Sequence, residues 1–260
     1  MKNVPGRPKT DKLDAIWLAK LAERGMLRPS FVPPKPVRQL RDLTCTRTVL
    51  TEERTRHKQR VEKLLEDAQV KLSTVATDIF GVSGRAMMEA MIVGERDPGV
   101  LAQMARGKMA AKKDALRQAL AGQFEEHHAF LCRTLLDTID HLSAQIDRLS
   151  ARIAGAIEDL PGPDRSDVDD GGGGATRPGP GLVERLDAIP GVGPATAQIL
   201  LAELGPDMRV FPTPDHLASW AKLCPRTVQS GAQQSFGRTG KGNPWLKGAL
   251  GEAAMAASRS

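Results

Sequence analysis

Three groups of residues in this 260-residue chain have types and spacings suited to phosphodiester chemistry. The first is the pair Asp11 and Asp14 within Lys9–Ala15, KTDKLDA. Three positions apart at the start of a predicted helix, the two carboxylates share one face. Such a pair can hold divalent metal ions for phosphodiester cleavage. Aspartate in a first turn is also ordinary capping chemistry, and on spacing alone that reading comes first. The second group is Ser230–Ala254, SGAQQSFGRTGKGNPWLKGALGEAA. Its glycines 231, 237, 240 and 242 predict a flexible basic loop carrying Arg238, Lys241 and Asn243, with a helix from about Pro244. Ser230 stands beside a glycine in that loop, although a loop serine is usually a turn former. The third group is Asp187–Gly205, DAIPGVGPATAQILLAELG. A short helix, Leu182–Ala188, and a second opening at Ala195 flank Pro190-Gly191-Val192-Gly193-Pro194. Gly191 and Gly193 permit positive φ and close backbone approach, and Thr196 lies in the first turn of a helix whose dipole favours a phosphate. This is the pattern of a helix–hairpin–helix that grips the DNA backbone without reading bases. A glycine-rich turn between core helices is the plainer alternative.

Other chemistries have little material. The five histidines form no Ser/His/Asp set, and His127-His128, among glutamates on a helix, reads as solvated surface. Cys45, Cys132 and Cys224 make no CxxC pair or zinc-type cluster, as expected of reduced cytoplasmic thiols. Tyrosine is absent and aromatics are 3%, which rules out a tyrosine nucleophile and disfavours a base-stacking platform. The net charge is +6, concentrated as a local +5 over Lys35–Lys63 and +4 from Pro206 onward. Two basic segments suggest polyanion partners, or simply solvated helix faces. No apolar run is long enough to span a membrane, and the opening MKNVPGRPKT lacks the apolar core of a secretion signal.

The elements that must position these groups are helical. Asp11 onward has helical periodicity to Gly25, and the prolines of RPSFVPPKP predict an extended connector. From Val37 a long helix places Leu40, Leu43, Arg47, Leu50, Arg54, His57, Val61, Leu64 and Ala68 on a heptad seam. Its polar middle leaves the arginines able to face a polyanion. Short helices broken at Gly81, Gly94, Pro98 and Gly107 follow. A second long helix, about Glu125–Asp159, aligns Leu135, Ile139, Leu142, Ile146, Leu149, Ile153 and Ala156 on a nearly unbroken seam. The pair predicts a coiled coil, within the chain or between chains. Pro161–Pro180 reads as a linker. No strand is predicted. The expected class is mainly α, with a helical coiled-coil region at 35–160, the linker at 161–180 and a small C-terminal helical domain at 181–260.

Taken together, KTDKLDA, the IPGVGPATA hairpin and the SGAQQSFGRTGKGN loop resemble the IS110 family of insertion-sequence transposases, RNA-guided serine recombinases. GRPKTDKLDAIWLA, LRPSFVPP, LRDLT and FGVSGRAM add to the resemblance, which covers nearly all of the chain outside the linker. The resemblance implies a DEDD acidic quartet binding Mg²⁺, with Asp11 and Asp14 as its third and fourth members, both catalytic and metal-holding. It implies Ser230 as the nucleophile, forming a covalent phosphoserine intermediate. It assigns DNA contact to Gly191, Gly193, Thr196, Arg238, Lys241 and Asn243. It also implies DNA and a structured guide RNA as partners, and a dimer or tetramer whose active site assembles between chains. The family carries an RNase H-like sheet with the first two acids ahead of KTDxxDA, and here only eight residues precede Lys9. Residues 1–34 are therefore expected to be a remnant of that domain. The chain is expected to be N-terminally truncated, to bind Mg²⁺ weakly or not at all, and to be inactive alone. The alternative is a non-catalytic DNA- or RNA-binding fragment that oligomerises.

Overall fold

The computed structural model describes residues 10–27, 32–160, 181–230 and 233–259, without the side chains of 226–230, 233 and 234. Residues 1–9 of the expected opening loop, the whole 161–180 linker, part of the proline connector, and Gly231 and Ala232 lie outside those residues. The architecture is mainly α, as the periodicities predict.

Helix α1 (Asp11–Glu23) is capped by Thr10, whose hydroxyl accepts from the Leu13 N–H at 3.3 Å. Gly25, at φ +62°, follows its end. The first long helix, α2 (Lys35–Asp67), starts with Pro36 in its first turn, where a missing N–H costs nothing. The short helices α3 (Leu72–Val75), α4 (Val82–Ile92), α5 (Pro98–Gln103), a 3₁₀ helix (Gly107–Lys112) and α6 (Lys113–Ala119) come next. They break where the glycines and proline predict. The second long helix, α7 (Glu126–Glu158), returns.

α2 and α7 pack against each other along their length. Val61 and Leu65 share a core with Cys132 and Leu136, whereas Val37 and Leu40 meet Ile153. The pairing is therefore antiparallel and lies within one chain. Beneath the far end of this hairpin, α3–α6 complete the largest core around Leu72, Met87, Met88, Met91, Leu101 and Leu116, all fully buried. Burial pushes the Cys132 thiol up to about 11, so it packs as a small apolar group rather than a reactive thiolate.

Two polar side chains of α2 and α7 lie elsewhere than expected: Arg47 is not turned to a polyanion, and His128 is not in solvent. Arg47 does not face outward: it is buried and donates to Gln198 Oε1 at 2.6 Å. His128 is likewise buried rather than solvated. Its Nδ1 accepts from the Glu125 N–H at 3.1 Å and its Nε2 stands 3.2 Å from Asp67 Oδ2, so it caps α7 and ties it to the end of α2. In both cases the residue type was read correctly as polar, but a tertiary partner supplied the hydrogen bonds that water would otherwise make.

The C-terminal part consists of α8 (Leu182–Asp187), α9 (Pro194–Leu204), a 3₁₀ turn (Met208–Val210), α10 (Pro214–Trp220), strands β1 (Pro225–Ser230) and β2 (Gln233–Thr239), and α11 (Pro244–Ala257). α8, α9 and α11 enclose a second core of Val192, Ala197, Leu200, Leu246 and Ala253. α9 also packs on α2, and Ala202 joins the Val37–Leu40–Ile153–Leu160 cluster. The segment expected to be a flexible basic loop is instead an antiparallel hairpin in which Ser230 pairs with Gln233 and Val228 with Ser235. Its backbone groups satisfy one another, which a glycine-spaced loop in water would not require.

Candidate functional site

The hairpin-like turn between α8 and α9 is built by local geometry. Val192 N–H bonds to Ile189 O at 2.9 Å, closing the turn. Gly191 adopts φ +84°, and a Cβ there would stand 2.2 Å from Ala253 O on α11. Glycine is thus required twice, by conformation and by close packing. Gly193 differs: it has open space around the position of a Cβ and is the N-cap of α9 without a side-chain cap. Pro194 takes the first turn, and Thr196 is half-buried just inside the helix. This exposed helix start is electropositive and has unsatisfied N–H groups.

The basic residues sit elsewhere. Arg238 and Lys241 are exposed, on β2 and directly after it. Asn243 caps α11: its Oδ1 accepts from the N–H groups of Trp245 at 3.0 Å and Leu246 at 3.2 Å. Its amide also donates to Glu203 Oε2. Both ends of this side chain are therefore engaged within the protein. Gly242 lets that segment pass close to α10, since a Cβ would stand 2.3 Å from Ala221 O.

Glu203 is fully buried at the end of α9. Arg41 Nε on α2 lies 2.8 Å from its Oε2 as an ionic contact, and an Arg41 terminal nitrogen donates to the Glu203 carbonyl at 3.0 Å. Burial raises the Glu203 carboxyl above its ordinary range, opposed by Arg41 and the Asn243 hydrogen bond. No sequence signal marked Glu203, because burial of a glutamate is a property of the assembled fold.

These contacts fix how the site residues are distributed. α9 and α11 run antiparallel, with Gly191 beside Ala253 at one end and Glu203 beside Asn243 at the other. Ten residues of α11 separate the two ends, about 15 Å. The glycine turn (Gly191, Gly193, Thr196) and the basic segment (Arg238, Lys241, Asn243) are thus two patches on one body. Ser230 ends β1, at the turn of the strand pair that carries Arg238.

Asp11 is exposed and Asp14 half-buried, both in the first turn of α1. α1 buries none of its residues and joins none of the three apolar cores. The pair offers hard oxygen donors, of which Mg²⁺ takes one or two with water completing its shell, so the residues fit that ion. A second grouping of ligand-type side chains, Asp67, His127 and His128, has its donor atoms within 4.8 Å of one another. There the Glu125 N–H occupies His128 Nδ1, so the ring proton sits on Nε2, facing Asp67. That arrangement is a helix cap, and imidazole is not a ligand Mg²⁺ favours.

Comparison with known proteins separates the chain into the same two ends. Residues 1–69 match a DEDD transposase model of the IS110 type, and residues 183–260 match the transposase IS116/IS110/IS902 family. No curated protein matches the chain. No helix among the described residues is long and apolar enough to cross a membrane. The two matches together span more than half of the sequence and agree on one family, whose members act on DNA: the chain belongs to the IS110 family of insertion-sequence transposases.

Proposed function

We propose that the chain is the serine-bearing strand-exchange component of an IS110-type transposase, with Ser230 as nucleophile and Asp11 and Asp14 as metal-holding acids. The observation that carries this reading is the position of Ser230 at the turn of a basic strand pair that runs on through Gly240, whose carbonyl accepts from Lys247 Nζ at 2.8 Å, into α11. A nucleophile that must reach a DNA phosphate needs a rigid mount and nearby positive charge, and Arg238 and Lys241 supply the charge.

In the proposed step Ser230 Oγ forms a bond to the scissile phosphorus while the bond to a DNA oxygen breaks. The serine proton passes to the leaving oxygen. One phosphodiester replaces another, so the cut end stays activated for rejoining without an outside energy source. Mg²⁺, when bound by the carboxylates, would supply charge stabilisation at the phosphate. The N-terminus of α9, opened by Gly193, would hold the backbone of the bound duplex as the anion-binding half of a helix–hairpin–helix. A structured guide RNA would select the DNA, and copies of the chain would associate so that Asp11 and Asp14 of one approach Ser230 of another. Alone, the chain is proposed to be inactive in strand transfer. The division at 35–160 and 181–260 is part of the same proposal, with the two regions docked through α2 and α9.

The test is strand transfer by the protein with guide RNA, DNA and Mg²⁺, both alone and joined to any in-frame coding extension upstream of Met1. Ser230→Ala and Asp14→Asn should each abolish transfer, and omission of Mg²⁺ should do the same. Transfer that survives Ser230→Ala sinks the nucleophile assignment. A second reading, a DNA-holding fragment without chemistry, is favoured by α1 joining none of the three apolar cores; it predicts tight duplex binding with no transfer under any of these conditions.

A further inference from the structure

Away from both terminal regions, the chain between α5 and α7 carries a concentration of charge that the transposase motifs do not use. Arg106, Lys108, Lys112, Lys113 and Arg117 fall within twelve residues, with Asp114 the single acid, a local +4. Arg106 caps the start of the 3₁₀ helix, and the others lie on that helix and α6. The mount is rigid. The Arg106 N–H donates to Ser83 Oγ at 2.9 Å, Leu116 is fully buried in the main core, and Lys71 N–H bonds Ala119 O at 2.8 Å.

The charged heads, by contrast, are turned outward and poorly matched. Arg106, Lys108, Lys112 and Arg117 are exposed. Lys112 donates to Val75 O at 3.1 Å and Lys113 to Gln103 Oε1 at 2.6 Å, both neutral acceptors. Among the described residues Arg117 pairs only with Asp114, at 3.4 Å, and that aspartate is almost wholly exposed. Arg106 and Lys108 have no side-chain ion pair among the described residues. Exposed pairs of this kind contribute little to stability, so the cluster is not explained by holding the fold together.

Its shape suits a nucleic-acid backbone. At about 2.0 Å per residue in the 3₁₀ helix and 1.5 Å in α6, Arg106 to Arg117 spans roughly 20 Å. A duplex presents one phosphate charge per ~1.7 Å of axis, so several fall within reach. No aromatic side chain occurs from 100 to 119, which removes base stacking as a mode of binding and leaves backbone contact to a double helix. The patch is also remote from the C-terminal elements. It lies at the α2 end marked by Val61 and Leu65, while Val37 and Leu40 meet α9. Twenty-four residues of α2 put about 35 Å between these ends.

We propose that the Arg106–Arg117 surface is a second contact for duplex DNA, gripping the phosphate backbone by charge at the pole of the α2–α7 hairpin opposite the serine-bearing region. The proposal stands on this charge placement and on DNA as the family's partner. It is independent of the roles assigned to Ser230, Asp11 and Asp14.

The experiment measures binding of the full chain to a 30-base-pair random DNA duplex across a salt series from about 50 to 200 mM. The triple variant Arg106→Gln, Lys108→Gln, Arg117→Gln should bind at least about tenfold more weakly at low salt. The slope of log affinity against log salt should fall by about 2 to 3, at the ~0.9 expected per lost phosphate contact. The melting temperature should be unchanged. A matched variant, Lys20→Gln, Arg148→Gln, Arg152→Gln, removes equal charge from exposed positions outside every basic segment and should leave the slope within one unit of wild type. Equal slopes for wild type and the first variant overturn the proposal, as does an equal fall in both variants. A parallel series on duplex RNA separates the remaining case: a loss confined to RNA reassigns the surface and overturns the DNA assignment. If the triple variant melts early, Arg106→Lys with Arg117→Lys, which preserves charge, must retain the wild-type slope; a reduced slope there also overturns the proposal.

Discussion

Gly191 and Gly193 look alike in the sequence but have opposite jobs in the fold. Gly191 combines φ +84° with a site where a Cβ would stand 2.2 Å from the Ala253 carbonyl, while Gly193 has room for a side chain. Gly191→Ala is therefore expected to cost roughly 2–4 kcal/mol, from overpacking and left-handed strain together. Gly193→Ala should leave thermal stability nearly unchanged yet weaken DNA binding by narrowing the approach to α9. Melting curves and anisotropy on both variants check this, and a stable Gly191→Ala protein would contradict it. Glu203 makes a prediction of a different kind. Its carboxyl is raised by burial, so the folded state keeps a proton at pH values where the unfolded chain has lost it. The unfolded state then binds fewer protons, and stability falls as pH rises above the ordinary value of 4.5 through the raised folded value. Glu203→Gln should remove that slope in urea titrations across this range, and an unaltered slope would show that the carboxyl does not titrate as described. The glycines were visible in the sequence because their conformational freedom is intrinsic. Glu203 was not, because nothing about a glutamate near a helix end announces that Arg41 and Asn243 converge on it.

α2 and α7 show how far periodicity reaches. The apolar seam of α7 located the helix almost to the residue, with Glu125 and Asp159 as its flanking caps. The mixed seam of α2 located that helix too, but not what its polar positions face. Arg47 lies against α9 and bonds Gln198, a contact between residues 151 positions apart that no local pattern encodes. Removing one member strands a half-buried or buried polar partner, whereas removing both does not. Arg47→Met alone should cost about 1–3 kcal/mol, and adding Gln198→Leu should recover a large part of it. A double-mutant cycle by urea unfolding reads the coupling; strictly additive costs would contradict the contact. The strand pair was missed for a physical reason as well. Ser235, Phe236 and Arg238 on β2 are all exposed, Phe236 at 80%. A hairpin with this little burial leaves no alternation of apolar and polar residues to read.

At the scale of the whole molecule, the long antiparallel pair α2–α7 acts as a spacer. One pole carries the small helices and the Arg106–Arg117 charge. The other carries α9, α11 and the serine hairpin, joined through Arg41, Glu203 and Val37. The family was legible from motifs at the two sequence ends, and those ends coincide with the two family matches. How the ends meet was not legible, since no residue of α1 is fully buried among the described residues. That leaves a cut made by Ser230 as the central claim, and the position of the covalent bond tests it most directly. The transposase expressed from its own locus, with guide RNA and Mg²⁺, is quenched in acid during strand exchange, digested, and its DNA-linked peptide sequenced by mass spectrometry. The account predicts a phosphodiester on Ser230 in a peptide spanning β1 and β2, absent from Ser230→Ala. An adduct on any other residue, or one that persists at full yield in Ser230→Ala, would contradict it.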